Sequence, residues 1–205
     1  MMLQAKMGGA DFVKIQLGNN RKPFDHINVV EFAELKLYAG ILGIELFASV
    51  FSEETLGWCG DLDYIKIASR TLRDDPSLCD KIVDSAMKWN KTVFISNGYT
   101  PDRFQYKGEN IKYFYCIPEY PASRVDVKLD LLDMPMFNGY SDHTRDTYTC
   151  KRVILMNQVE YIEKHFTLSV NLQSEQEKGH AGAMTFEDLL DLQRFNLERA
   201  VRDIN

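Results

Sequence analysis

Seven short runs rich in β-branched and aromatic residues recur along the chain: Phe12 to Leu17, Ile44 to Phe51, Tyr64 to Ser69, Thr92 to Asn97, Ile111 to Cys116, Phe137 to His143 and Tyr161 to Leu168. Each has the length and composition of a strand. Between most of them lie segments with helical signals, Asn28 to Leu42, Pro76 to Trp89 and Thr147 to Met156, and a periodic stretch from Thr185 to about Arg202 closes the chain. Gly8-Gly9 ends a helical stub over Met2 to Met7, Asp75-Pro76 opens a helix, and Thr185 with Glu187 and Asp188 resembles a helix start. Strands alternating with helices predict an α/β fold with a parallel sheet, here a barrel of the TIM (β/α)8 type. Seven strands fall one short of eight, and the chain opens in the helix that would follow a first strand. The expectation is therefore one barrel domain over residues 1–205, lacking its first strand.

Composition narrows the function classes. Of 205 residues, 45% are apolar, enough for a large core, and no low-complexity tract, heptad pattern or solenoid repeat is present. The net charge of -6 is spread along the chain and leaves no basic stripe, which argues against nucleic acid as a partner. An anionic small molecule is still compatible, because a pocket is governed by its local lysines. Cys59, Cys79, Cys116 and Cys150 are widely spaced, without a C-x-x-C pair or a secretory leader, and read as reduced thiols. No long apolar run or signal-peptide core is present, so the expected compartment is the cytoplasm and no membrane partner is expected.

Two histidines, His143 and His165, close the last two predicted strands. In a barrel, neighbouring strands bring their carboxyl ends together, so two imidazoles there can share one ion. Each alone reads as a hydrogen-bonded structural residue, and it is the pairing that points to a metal. Lys14 and Lys66 sit inside apolar strands, where an unpaired ammonium is expensive to desolvate. They can snorkel to the rim, pair with an internal carboxylate such as Glu45 or Glu163, or face a bound anion. With Ser49, Ser69 and Ser96 at strand ends, they make a candidate cradle for phosphate and carboxylate. The glycines form no G-x-G-x-x-G or Walker pattern, the aromatic stretch from Phe104 to Tyr115 reads as strand packing, and Cys116 reads as a buried thiol.

Four segments stand in order along the chain: Gly9-Ala10-Asp11-Phe12-Val13-Lys14-Ile15-Gln16, Tyr64-Ile65-Lys66-Ile67-Ala68-Ser69, Gly139-Tyr140-Ser141-Asp142-His143-Thr144 and Ile162-Glu163-Lys164-His165-Phe166-Thr167-Leu168. Together they resemble the core motifs of the N-acetylneuraminate (sialic acid) synthase family. Cys116 to Pro121, with Tyr120-Pro121, resembles a further one. The resemblance implies a transferase that joins phosphoenolpyruvate to an open-chain N-acetylmannosamine-type sugar, giving a sialic acid-type nine-carbon acid and phosphate for surface polysaccharide. It implies a divalent metal, manganese with magnesium or cobalt as alternatives, held by His143 and His165. It further implies that Lys14, Ser49, Lys66, Ser69, Ser96 and Ser141 bind phosphoenolpyruvate, that Gln16, Tyr120 and Glu163 line the sugar side, and that the protein is a homodimer. Lys14, Lys66, His143 and Glu163 are the expected catalytic residues.

The sequence also departs from the family pattern. The chain begins after the glutamate of the family's first strand, Thr71 stands where a glutamate is common, Pro118 where an amide or hydroxyl is common, and Gly179 precedes His180 where Asp-His is usual. The family's C-terminal antifreeze-like domain is not in this sequence. Two further readings therefore stay open: a non-catalytic barrel of the same family that binds a ligand or partner, and another metal-dependent barrel aldolase.

Overall fold

A computed structural model describes residues 1–18, 27–172 and 181–204. In chain order the elements are α1 (Met2–Met7), β1 (Phe12–Leu17), α2 (Val29–Leu42), β2 (Glu45–Val50), α3 (Glu53–Gly57), β3 (Tyr64–Ile67), α4 (Ser69–Asp74), α5 (Pro76–Lys88), β4 (Thr92–Asn97), β5 (Ile111–Cys116), β6 (Phe137–Asp142), α6 (Tyr148–Met156), β7 (Tyr161–Lys164) and α7 (Phe186–Ile204). They fall into two compact units, Asp11–Tyr113 and the pair of segments Met1–Ala10 and Phe114–Asn205.

In the first unit, strands β1 to β4 lie side by side in chain order and pair in parallel. Laterally paired residues share a face and successive residues alternate, so the register sorts the side chains. Val13, Ile15, Leu17, Leu46, Ala48, Val50, Ile65, Ile67, Val93 and Ile95 form an aliphatic face. The helices cover that face: α2 and α3 pack on β2, and α5 on β3 and β4. They bury Phe32, Leu56, Leu78, Ile82 and Ala86. The opposite face carries Phe12, Lys14, Gln16, Phe47, Ser49, Tyr64, Lys66, Phe94 and Ser96.

Local signals fix the helix ends. Asn28 and Glu31 form a capping box on α2, with Asn28 Oδ1 accepting from Glu31 N at 3.0 Å and Glu31 Oε2 from Asn28 N at 2.8 Å. The same helix stops at Gly43, whose left-handed φ of 62° favours glycine. Asp75 accepts from Leu78 N at 3.0 Å to open α5, as its position before Pro76 predicts.

In the second unit β6 and β7 pair in parallel, with α6 between them in sequence. Gly139 of β6 lies under Phe114, where a Cβ would stand 2.6 Å from the ring. Thr185 and Asp188 cap α7 reciprocally, and Gln193 of α7 donates to the Gly9 carbonyl at 2.6 Å, tying the chain start to the last helix. No helix among the described residues is long and apolar enough to cross a membrane.

The structure trims some predicted strands. Ser69, expected at a strand end, is the first residue of α4, and β7 stops at Lys164, because β6 ends at Asp142, the residue paired with Lys164. Beyond that point the backbone changes partner: Met184 N donates to the His165 carbonyl, and Phe166 bridges Met184. Helices α3 and α4 carry no sequence periodicity, since both are too short to show one. The Gly179-His180 departure lies outside the described residues.

Candidate functional site

The candidate residues gather into two clusters, one in each unit. In the first, Gln16 pairs with Ser49 and Ser49 with Lys66, so a polar row crosses β1, β2 and β3 one step from their ends. Lys14 lies two residues earlier on β1. Ser96 lies two residues beyond Phe94, the partner of Lys66. Phe94, level with this row, packs with Phe12, Phe47 and Tyr64, which lie toward the strand starts, Phe47 and Phe94 edge to face at 5.3 Å and Tyr64 and Phe94 stacked at 5.1 Å. One face thus turns from aromatic to polar along the strand direction, and the carboxyl end is where barrel folds place chemistry.

Burial grades this row. Ser49, Lys66 and Ser96 are buried, Lys66 with only 3% of its surface exposed, whereas Lys14, Gln16 and Ser69 are half-buried. An ammonium at that depth requires anionic or hydrogen-bonding company. Glu45, one counter-ion expected for the strand lysines, lies near Asp63 and Lys91, and its carboxyl is raised above the ordinary value by burial first and then by Asp63. Thr71, in the family's glutamate position, is buried, and its hydroxyl has no hydrogen-bond partner among the described residues.

The second cluster assembles on β6, β7 and the segment after β5. Ser141 pairs with Glu163 across the strands, and its hydroxyl donates to Glu163 Oε2 at 2.6 Å. Two residues further on, His143 and His165 stand with ring centroids 5.8 Å apart. The half-exposed Tyr120 lies against both, 4.1 Å from the His143 ring and 5.5 Å from the His165 ring. Its segment is held there by Ala122, which bridges Thr144 and donates to the His143 carbonyl at 2.8 Å.

The tautomer of His143 follows from its partner. Nδ1 lies 2.5 Å from the Ile117 carbonyl. A carbonyl only accepts, so Nδ1 carries the proton, and in the neutral ring Nε2 is then the lone-pair nitrogen, the arrangement of a metal-ligating imidazole. Among the described residues no group of three or more His, Cys, Asp or Glu side chains is placed to hold an ion. The pair fits a divalent ion as a two-nitrogen site, with the other positions open to water or substrate oxygens.

Sequence reasoning passed over Asp142 and Lys164. These residues point to the other side of β6 and β7, where both side chains are buried and Lys164 Nζ meets Asp142 Oδ2 at 2.8 Å. The available signal was opposite charges at paired positions of adjacent strands, each next to a candidate histidine. Cys116 is fully buried, as expected for a packing thiol, and so are Cys59, Cys79 and Cys150. Pro118 is half-buried on the segment leading to Tyr120.

Comparison with known proteins places this geometry in a family. The chain is 24% identical, over 93% of its length, to an uncharacterized protein of Methanocaldococcus jannaschii. It is 28% identical over 71% of its length to the N,N'-diacetyllegionaminic acid synthase of Campylobacter jejuni. It spans 63% and 47% of the lengths of these two relatives. Among solved structures, the N-acetylneuraminic acid (sialic acid) synthetase of Leptospira borgpetersenii superposes with a TM-score of 0.79, at 20% identity, over 98% of this chain and 77% of that one. That likeness shows the fold, an α/β fold of the TIM-barrel type with seven strands among the described residues. The NeuB family model matches residues 22–202, and with that match over most of its length the chain belongs to the NeuB family.

Proposed function

We propose that the chain is the barrel portion of a sugar-acid synthase, joining phosphoenolpyruvate to N-acetylmannosamine or a related amino-sugar. The observation that carries this reading is the His143–His165 pair with Ser141–Glu163 beside it, in a chain of this family. The buried Lys66 with Ser49 and Gln16 supports it, as a row suited to phosphate and carboxylate oxygens.

In this reading C3 of phosphoenolpyruvate attacks the sugar aldehyde, forming the new carbon–carbon bond. Water then adds at C2 and the C2–oxygen bond to phosphate breaks, so phosphate leaves and a ketone forms. Lys14, Lys66, Ser49, Ser69 and Ser96 bind and orient the phosphoenolpyruvate anion, whose charge the two ammonium groups offset. Ser141 orients the Glu163 carboxylate, which with Tyr120 holds sugar hydroxyls and exchanges protons with them. A divalent ion on His143 and His165, manganese above all, would supply Lewis-acid polarisation of the aldehyde oxygen. A role in surface polysaccharide synthesis, a cytoplasmic setting and a homodimer belong to the same reading.

The test is release of phosphate from phosphoenolpyruvate by the 205-residue chain with Mn2+ and a set of precursor amino-sugars. Release with one of them is expected. No release with any, alongside retained Mn2+ and phosphoenolpyruvate binding by calorimetry, would instead favour a non-catalytic binding barrel, a reading supported by Thr71, whose buried hydroxyl stands in the family's glutamate position.

A further inference from the structure

The strands that carry the histidines also carry a second, buried polar cluster on their opposite side. Asp142 is its centre. Oδ1 accepts from Tyr140 Oη at 3.0 Å and from Thr144 N at 3.0 Å. Oδ2 lies 2.8 Å from Lys164 Nζ, 3.2 Å from Cys150 Sγ and 3.2 Å from Thr144 Oγ1. Lys164 Nζ also donates to the Thr144 carbonyl at 2.7 Å. Burial, then the charge of Asp142, raise both the Tyr140 hydroxyl and the Cys150 thiol, so both stay protonated donors.

Residue 143 is thereby clamped on both flanks. Asp142 is held in the sheet opposite Lys164, and Thr144 has its N–H fixed by Asp142 and its carbonyl by Lys164. A buried ion pair contributes little net stability compared with an apolar pair of the same volume. What this pair supplies instead is a fixed backbone path through His143, beside a strand that ends next to His165. We infer that the Asp142–Lys164 pair is a positioning device for His143, setting how tightly the two imidazoles take an ion. This inference rests on the metal reading of His143 and His165 given above.

Calorimetric titration of Mn2+ into the 205-residue chain tests it, with thermal unfolding recorded for each variant. Asp142→Leu/Lys164→Met removes both charges and the acceptor for Thr144, and the expected result is a folded chain whose Mn2+ affinity falls by about 10- to 100-fold, the usual scale for outer-shell partners of metal ligands. Asp142→Asn/Lys164→Met keeps an acceptor at Oδ1 for Thr144 N and is expected to recover most of that affinity. A purely structural role would lower the unfolding temperature and leave Mn2+ affinity unchanged; a folded leucine variant with wild-type affinity overturns the inference. Should that variant not fold, Thr144→Val decides, because it strips the hydroxyl contact at equal volume: a loss of about threefold supports the clamp, and unchanged affinity overturns it. A wild-type chain that takes up no Mn2+ overturns the metal reading itself, and the positioning role with it.

Discussion

Ser141 and Glu163 occupy paired positions of β6 and β7, and the Ser141 hydroxyl donates to the Glu163 carboxylate at 2.6 Å. The bond fixes one carboxylate oxygen on strands that reach the histidines two residues further on. Removing the charge should cost more than removing the group that aims it. Glu163→Gln is expected to lower sugar-dependent phosphate release by about 100-fold or more, the scale of general acid–base loss, and Ser141→Ala by about tenfold. Steady-state assays of both variants check the order; equal rates for Glu163→Gln and wild type would remove Glu163 from the chemistry.

The histidine pair makes a prediction about stability. If Mn2+ binds the folded chain alone, saturating ion at about 100 times its dissociation constant should stabilise the fold by about 2.7 kcal/mol. The unfolding temperature should rise with Mn2+ and fall back with a chelator. His143→Ala and His165→Ala should each abolish the rise, and a rise of wild-type size in both variants would place the ion elsewhere.

Gly139 has no room for a side chain, since a Cβ there would stand 2.6 Å from the Phe114 ring. Both residues are in strands, where neither backbone can yield easily. Gly139→Ala should destabilise the chain by about 1–3 kcal/mol, the cost of overpacking, read from the urea midpoint. Phe114→Leu in the same chain should restore part of that loss.

Cys59 and Cys79 are fully buried, and burial above all pushes both thiols up to about 12 from an ordinary value of 9.0. The folded state thus prefers the protonated thiols. Their contribution is intact below pH 9.0 and is lost as pH rises toward 12, by up to about 1.4 kcal/mol per pH unit for each thiol. Denaturation midpoints measured across this range should fall with pH, and Cys79→Ala should flatten the slope. Neither thiol should react with an alkylating reagent at neutral pH while the chain is folded.

Lys66 and Lys14 share a face but differ in depth, Lys66 being 3% exposed and Lys14 half-buried. A charge acts more strongly on an anion where water is excluded. Lys66→Met should therefore weaken phosphoenolpyruvate binding more than Lys14→Met, by a further factor of about ten. Calorimetry on the two variants checks the order.

The strands and the main helices were legible in the sequence because each is specified locally. Short runs rich in β-branched and aromatic residues mark β1 to β7, and Asn28, Asp75 and Thr185 cap helices through bonds reaching only three residues along the chain. The same locality made the histidines, the lysines and their family motifs readable. The short α3 and α4 were not, and neither was the point where β7 hands its backbone over to Met184, because these depend on which segment is close by in space.

The sequence by itself therefore determined the α/β class, the order of elements and the residue types available for chemistry, since propensity, capping and periodicity act over a few residues. Only the tertiary structure decided which of those residues meet. Strand register places Gln16, Ser49 and Lys66 in one row and puts Asp142 with Lys164 behind the histidines. A carbonyl 26 residues upstream fixes the His143 tautomer. Pairing across distant strands is a collective outcome of packing two sheet faces, and no single segment of the chain contains it.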